Sequence, residues 1–293
     1  MKKLIKNIFF FTIPFFLYYV CIYFIDPFNY YNKTDKHEKI SSIATQIQPH
    51  LFRLTEFKNN PNKNILLGDS RSDALYSVFE DEKKQTWNNL SFGGGSLNEV
   101  IETFWYAAEN QKLDSVLVGI NFNHFNSNNS RNWIEKTLQL SDNPITYTFS
   151  KYVFSSIIKN FKPLDSKHIS KNKINKEVFW EIHKNNLKDK FYVNIIYPED
   201  YLMRLKEIKN YCNEKDIKLI FWIPPVHQDI HDMIYDEGHL YKYKRFVSDL
   251  SSLSFTYNFD NDLILRNNKS NFRDAIHIDT KTLNKIYSKI FKN

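Results

Sequence analysis

From Ile8 to Ile25 the chain runs through eighteen consecutive uncharged residues, dense in Phe, Ile and Tyr. At about 1.5 Å of rise per residue, a helix of that length approaches the roughly 30 Å hydrocarbon layer of a bilayer. Pro14 inside the run predicts a kink rather than a break, because a membrane helix can satisfy the freed carbonyl locally. Downstream the pattern changes to short apolar runs that end in glycine or proline. The run ending at Gly68, Trp87 to Phe92, Ser115 to Val118, Lys218 to Ile223 and a short piece from Phe255 to Phe259 read as strands. Between them, Leu97, Val100, Ile101, Phe104, Trp105 and Ala108 recur at helical spacing and predict a covering helix over 97–110. Further helices are expected from Arg71 with Ser70 or Ser72 as its cap, over about 230–250, and from Thr280 to Phe291. Strands alternating with helices predict a parallel sheet covered on both faces.

Two stretches break that rhythm. Residues 27–61 carry Asn29, Tyr30 and Tyr31 and then the charged mixture Lys36-His37-Glu38-Lys39, and are expected to form a stalk and packing segment. Residues 126–200, rich in Asn, Lys and aromatics, are expected to be an insertion. Its Tyr147, Tyr152, Phe154, Phe161, Phe179 and Trp180 can form a wall over a site, with Lys151, Lys159, Lys162, Lys167 and Lys171 supplying positive charge. A helical subdomain packing its own aromatics is the equal alternative. The expected organisation is therefore 1–26 as cytoplasmic N-terminus and anchor, 27–61 as stalk, and 62–293 as one α/β domain with that insertion.

Charge orients the chain. Lys2, Lys3 and Lys6 precede the apolar run and Asp26 follows it, so the positive-inside rule predicts a single pass with the N-terminus cytoplasmic and the rest extracytoplasmic. The segment after the run lacks small residues of the kind a signal peptidase prefers, which favours an uncleaved anchor. A net charge of +7 favours anionic surfaces, and an outward domain meets lipid or polysaccharide before nucleic acid. Cys21 lies within the apolar run and Cys212 is alone beyond it, so no disulfide framework is implied. Zinc-finger spacing, phosphate loops and dinucleotide fingerprints are lacking, and no cofactor is expected. The cluster His227, Asp229, His231, Asp232, Asp236 and His239 reads as a solvated polar face rather than a metal site, and His227 as a weak candidate for contacting substrate after the strand it follows.

The chemistry-bearing residues sit at opposite ends of the domain. Ser70 follows Gly68-Asp69 at the end of a strand, and Asp274 and His277 lie near the chain's end. A serine hydroxyl is a weak nucleophile that needs a base and a group orienting the base. His277 suits the first role and Asp274, three residues earlier, the second. Gly93-Gly94-Gly95 and Gly119-Ile120-Asn121 each follow a strand. Glycine NH groups and an asparagine amide both suit a developing oxyanion.

These four blocks, in this order, resemble the SGNH or GDSL-type hydrolase superfamily over about residues 62–293. The resemblance implies a three-layer, flavodoxin-like parallel sheet of the SGNH type behind one N-terminal transmembrane helix. It implies Ser70 as nucleophile, Asp274 and His277 as its partners, and an oxyanion hole from the Ser70 NH, a glycine of 93–95 (Gly93 and Gly94 foremost) and Asn121, with Asn123 the weaker competitor. Arg71 stands where the family has leucine and Phe122 where it has aspartate, so Arg71 and Asn123 become candidate substrate contacts. Anchored members of the superfamily modify envelope polymers. The implied function is an extracytoplasmic serine esterase or O-acyltransferase acting on a cell-envelope glycan or exopolysaccharide. A non-catalytic SGNH-fold protein binding polysaccharide, or the partner of a membrane-bound acyltransferase, is the alternative.

Overall fold

A computed structural model describes residues 1–31, 38–161 and 175–292. Lys36 and His37 of the expected stalk, and Lys162, Lys167 and Lys171 of the expected insertion, lie outside the described residues. The chain forms two compact units, one of Met1–Pro61 with Trp133–Ile169 and the other of Asn62–Asn132 with Ser170–Asn293.

The first unit is helical. It contains α1 (Lys2–Ile25), α2 (Glu38–Ile47), α3 (Pro49–Asn59), α7 (Ile134–Asp142), α8 (Pro144–Thr148) and α9 (Lys151–Phe161). α1 is continuous through Pro14, 24 residues long, and apolar enough to cross a membrane. It ends where Asp26 enters the left-handed region at φ 42°, and the Asp26 carboxylate accepts the backbone NH groups of Tyr30 and Tyr31. That turn folds the following segment back on the helix. Ile22, Phe28, Ala44, Leu51, Tyr147, Val153 and Ile157 then share one core. Tyr147 and Tyr152 of the expected insertion join this core, while Phe154 and Phe161 are exposed on α9.

The second unit carries β1 (Asn64–Gly68), β2 (Trp87–Ser91), β3 (Ser115–Gly119), β4 (Lys218–Ile223) and β5 (Thr256–Asn258). Its helices are α4 (Ser70–Ser77), α5 (Asp81–Thr86), α6 (Leu97–Asn110), α10 (Lys176–Leu187), α11 (Glu199–Glu214), α12 (Gln228–Asp236), α13 (Leu240–Leu253), α14 (Leu263–Arg266) and α15 (Thr280–Phe291). The strands pair in parallel in the order β2-β1-β3-β4-β5, the flavodoxin-like doubly wound order. Ile65, Leu66 and Leu67 of β1 are all fully buried, as a strand covered on both faces requires. The chain steps one way from β1 to β2 and the other way from β2 across to β3. Right-handed crossovers then place α4 on one face and α6 on the other. α15 packs on α4, and α11 packs on α6 and α13. The direction reverses between β1 and β3, so the ends of those two strands flank the crevice where open α/β sheets bind ligands.

Two expectations are corrected. The cap of α4 is neither Ser70 nor Ser72 but Asp69, whose carboxylate accepts the Arg71 NH at 2.9 Å. Asp69 offers an acceptor one residue earlier, leaving Ser70 as the first helical residue. The single helix expected over 230–250 is two helices, because Gly238 at φ 71° ends α12 in a left-handed turn, with the His239 NH donating to the Ile234 carbonyl.

Gly68 sits at φ 142°, a conformation that side chains rarely adopt, and a Cβ there would overlap Ser72 and lie 2.9 Å from the Gly119 carbonyl. Gly68→Ala is expected to destabilise the protein by on the order of 2 kcal/mol. A lowered thermal midpoint for the full chain in detergent checks this, and an unchanged midpoint contradicts it.

Candidate active site

The β1 end delivers three consecutive residues with different environments. Asp69 and Arg71 are buried, and Ser70 between them is partly accessible at the start of α4. Across the second unit, the segment after α14 brings back the other half. The Ser70 hydroxyl lies 2.8 Å from His277 Nε2, and His277 Nδ1 lies 2.8 Å from Asp274 Oδ2. Asp274 also accepts the backbone NH groups of Ile276 at 3.0 Å and His277 at 2.9 Å, so one carboxylate orders both its own turn and the imidazole. The turn is pinned from outside, with the Arg273 NH donating to the His277 carbonyl and the His227 NH to the Ala275 carbonyl.

Partial burial opposes ionisation of Asp274, but the hydrogen bond and charge of His277 and the two backbone NH groups overcome it and lower its carboxyl to about 2. An ionised Asp274 can only accept, so Nδ1 carries the proton that points at it. In the neutral ring Nε2 is then free to accept from Ser70.

Beneath the serine lies a buried polar layer centred on Asp69. Its carboxylate accepts from Arg71 Nη2 at 2.7 Å, from Arg71 Nε at 3.1 Å and from Asn121 Nδ2 at 3.0 Å. Burial resists ionisation of Asp69, yet the Arg71 charge and hydrogen bonds, with His124 beside them, hold its carboxyl well below the usual range. His124 is fully buried 3.6 Å from Asp69, and burial pushes its imidazole down to about 4, so it is neutral at physiological pH. His124 also hydrogen-bonds the backbone of Gly95, tying this layer to the glycine loop.

Asn121 therefore lies at the β3 end of the same crevice as Ser70, its amide nitrogen turned toward Asp69. That nitrogen also lies 3.4 Å from both ring nitrogens of His124, so it is turned into the buried layer. In the glycine loop, the Gly95 NH donates to the Phe92 carbonyl at 2.8 Å, and Gly94 takes φ 64°. Ser96 caps α6 in a reciprocal box with the buried Glu99, whose carboxylate also binds Arg131 at 2.9 Å, so the loop is held at its exit.

Arg71, expected as a substrate contact, is 2% exposed and engages Asp69 and, at 2.9 Å, Asn123 Oδ1. Asn123 is thereby a buried partner of Arg71. Phe122 joins the core against Tyr243 and Phe246. His227 caps α12, its Nδ1 accepting the Asp229 NH at 3.2 Å, and its ring meets Trp180 and Phe272 edge-on. His231 bonds Asp260 at 3.1 Å instead of joining His227. Among the described residues no three His, Cys, Asp or Glu side chains form a metal-holding group.

Of the six expected wall aromatics, Phe179 and Trp180 stand near the triad, on α10. Trp180 Nε1 donates to Asp229 at 2.8 Å, and Phe179 stacks on His183. His183 is the residue that sequence reasoning missed. Its ring lies nearly parallel to that of His277, centroids 6.3 Å apart, and its Nδ1 is 3.6 Å from Asp274 Oδ1. Its spacing of four from Phe179 was the available signal, since i, i+4 residues share a helix face.

No protein-family profile matches this chain, and no curated protein sequence matches it. Among solved structures, one described as a candidate platelet activating factor from Streptococcus pneumonia is similar at 12% identity and a TM-score of 0.41, over 86% of this chain and 90% of that one. An acetyl xylan esterase is similar at 10% identity and a TM-score of 0.38, over 78% of this chain and 98% of that one.

The Asp274 carboxyl is lowered from 3.8 to about 2, so its contribution to stability is present above the unfolded value and is lost as pH falls through that interval. Asp274→Asn is expected to flatten the fall in thermal midpoint between those two pH values. Unaltered acid dependence in the variant would show that the carboxylate is not held ionised by the fold.

Proposed function

We propose that the chain is a membrane-anchored serine esterase or O-acyltransferase of the SGNH type, working on an ester-bearing glycan of the cell envelope. The observation that carries this reading is the unbroken hydrogen-bonded series from Ser70 through His277 to Asp274 at the crevice between β1 and β3. Binding alone has no use for a nucleophile aligned with its base and orienter.

In the proposed reaction, the Ser70 oxygen attacks an acyl carbonyl while His277 Nε2 takes the hydroxyl proton. Asp274 stabilises the imidazolium that results. Negative charge then develops on the carbonyl oxygen. The Ser70 NH is one of the unpaired donors of the first turn of α4, and it acts with an NH of Gly93 or Gly94 and with the Asn121 amide, which turns to the oxyanion from its resting contacts with Asp69 and His124. Collapse of this intermediate expels the alcohol, protonated by His277, and leaves an acyl-serine. Water or a sugar hydroxyl, deprotonated by the same imidazole, attacks the acyl-serine and restores Ser70. Phe179 on α10, 43% exposed, offers an apolar ring face of the kind that sugar rings stack on.

The location follows from the other end of the chain. α1 crosses the membrane with Lys2, Lys3 and Lys6 on the cytoplasmic side, and residues after Asp26 are extracytoplasmic. A membrane-bound acyltransferase is the natural acyl donor for the transfer version of the reaction.

The detergent-solubilised protein is expected to react with a fluorophosphonate probe at Ser70, located by peptide mass spectrometry. Ser70→Ala and His277→Ala are expected to abolish the adduct and to lower turnover of p-nitrophenyl acetate by a factor on the order of 10^4 or more. A folded wild-type protein that reacts with neither this probe nor a smaller sulfonyl fluoride would overturn the proposal.

A further inference from the structure

The exposed apolar side chains of the first unit are concentrated on its two short C-terminal helices as well as on α1. Ile145 and Phe149 stand together at i, i+4 on α8 and just after it, and Phe154, Ile158 and Phe161 follow at i, i+4, i+7 along α9. Their exposures run from 40% for Ile158 to 70% for Ile145. The adjoining face of α9, through Val153 and Ile157, is already buried in the core of the unit. α9 therefore has one apolar face covered and a second apolar face bare beside the polar side chains of Lys151, Ser155 and Lys159, and the bare face does not suit a helix surrounded by water.

The depth of this bare face is set by its contacts with α1. The Tyr18 hydroxyl donates to the Thr148 carbonyl at 2.8 Å, and its ring packs against Phe149 at 6.4 Å and Phe154 at 6.1 Å between centroids. Tyr18 lies seven residues before the outer end of α1 at Ile25, about 10 Å below it. Counted from the other end, Tyr18 is sixteen residues above Lys2, about 24 Å, still short of the roughly 30 Å hydrocarbon thickness. By either count, a spanning α1 carries Phe149 and Phe154 down with Tyr18 to the edge of the hydrocarbon. The chemistry of the segment fits that depth. Between Pro144 and Phe161 there is no acidic residue, while Lys151 and Lys159 supply positive charge beside the apolar face. This is the composition of a helix that lies in a bilayer interface against anionic headgroups.

We propose that α8 and α9 form a lipid-embedded foot, lying in the outer leaflet interface beside α1 and burying Ile145, Phe149, Phe154, Ile158 and Phe161 among acyl chains. The proposal rests on the reading of α1 as a membrane span. The foot explains why the chain after α1 folds back on it instead of leaving the membrane directly.

The test uses the full chain reconstituted in vesicles of phosphatidylcholine and phosphatidylglycerol, photolysed with a diazirine reagent confined to the bilayer, with adducts located by peptide mass spectrometry. Adducts are expected both on α1 and on peptides spanning 145–161. Phe154→Asp, which gives up the ring's contact with Tyr18 but removes no buried side chain, is expected to reduce labelling of 145–161 severalfold while labelling of α1 stays as in wild type. Adducts on α1 with 145–161 unlabelled would overturn the foot while leaving the span intact, and would point to a second copy of the chain covering the face. Absence of adducts from α1 as well would overturn the span, and the foot with it. Labelling of 145–161 that Phe154→Asp leaves unchanged would also overturn it.

Discussion

Taking a carboxylate out of water costs several kcal/mol unless charge and hydrogen bonds replace the lost hydration, and Asp69 is buried beside Ser70, the one partly accessible residue of the Gly68-Asp69-Ser70 turn. Every donor that compensates it belongs to a different part of the crevice. Arg71 comes from the first turn of α4 and Asn121 from the end of β3, with the neutral His124 ring packed 3.6 Å away in the turn that follows it. Satisfying one buried charge thus ties the end of β1 to the end of β3 and holds the first turn of α4 in place. Ser70 is the residue carried by that arrangement. Removing one partner would leave the others unpaired in a dry site, so the layer acts as a unit.

The arginine that follows the serine gains a physical meaning from this layer. A leucine cannot answer a buried carboxylate, whereas a guanidinium offers several donors in one plane. Arg71 spends two of its nitrogens on Asp69 and a further bond on Asn123. The segment after β3 answers it in step: Phe122 enters the core, and Asn123 meets the arginine.

The first unit obeys a different constraint, the need to reconcile a water-insoluble helix with a folded segment that begins one residue after it. Asp26 makes the reversal by adopting the left-handed region and capping the next turn. Tyr18, Cys21, Ile22 and Ile25 then pack into the same cluster as α2, α3, α8 and α9. The C-terminal turns of α1 have protein on one side, while most of its remaining length is bare.

Much of this was legible in the chain itself, because it is local. Apolar runs ending in glycine or proline located β1, β3 and β4, helical spacing located α6 over 97–110, and the closing helix α15 was found from Thr280 to Phe291. The apolar run near the N-terminus is a helix long enough to span a bilayer because length and composition alone decide that property. Ser70, Asp274 and His277 were recognised as a set from residue type and spacing, but their distances depend on strand order, which no local pattern encodes. The tertiary structure decided the sheet order, the meeting of residues 207 positions apart, and the fate of Arg71 and Asn123 as buried partners of Asp69. It also decided the division of residues 126–200, whose first helices pack with α1 while α10 places His183 beside His277. Propensity and periodicity report what a segment prefers within a few turns. Which segments become neighbours is set by long-range burial and by the pairing of buried charges, and these exist only once the chain has closed on itself.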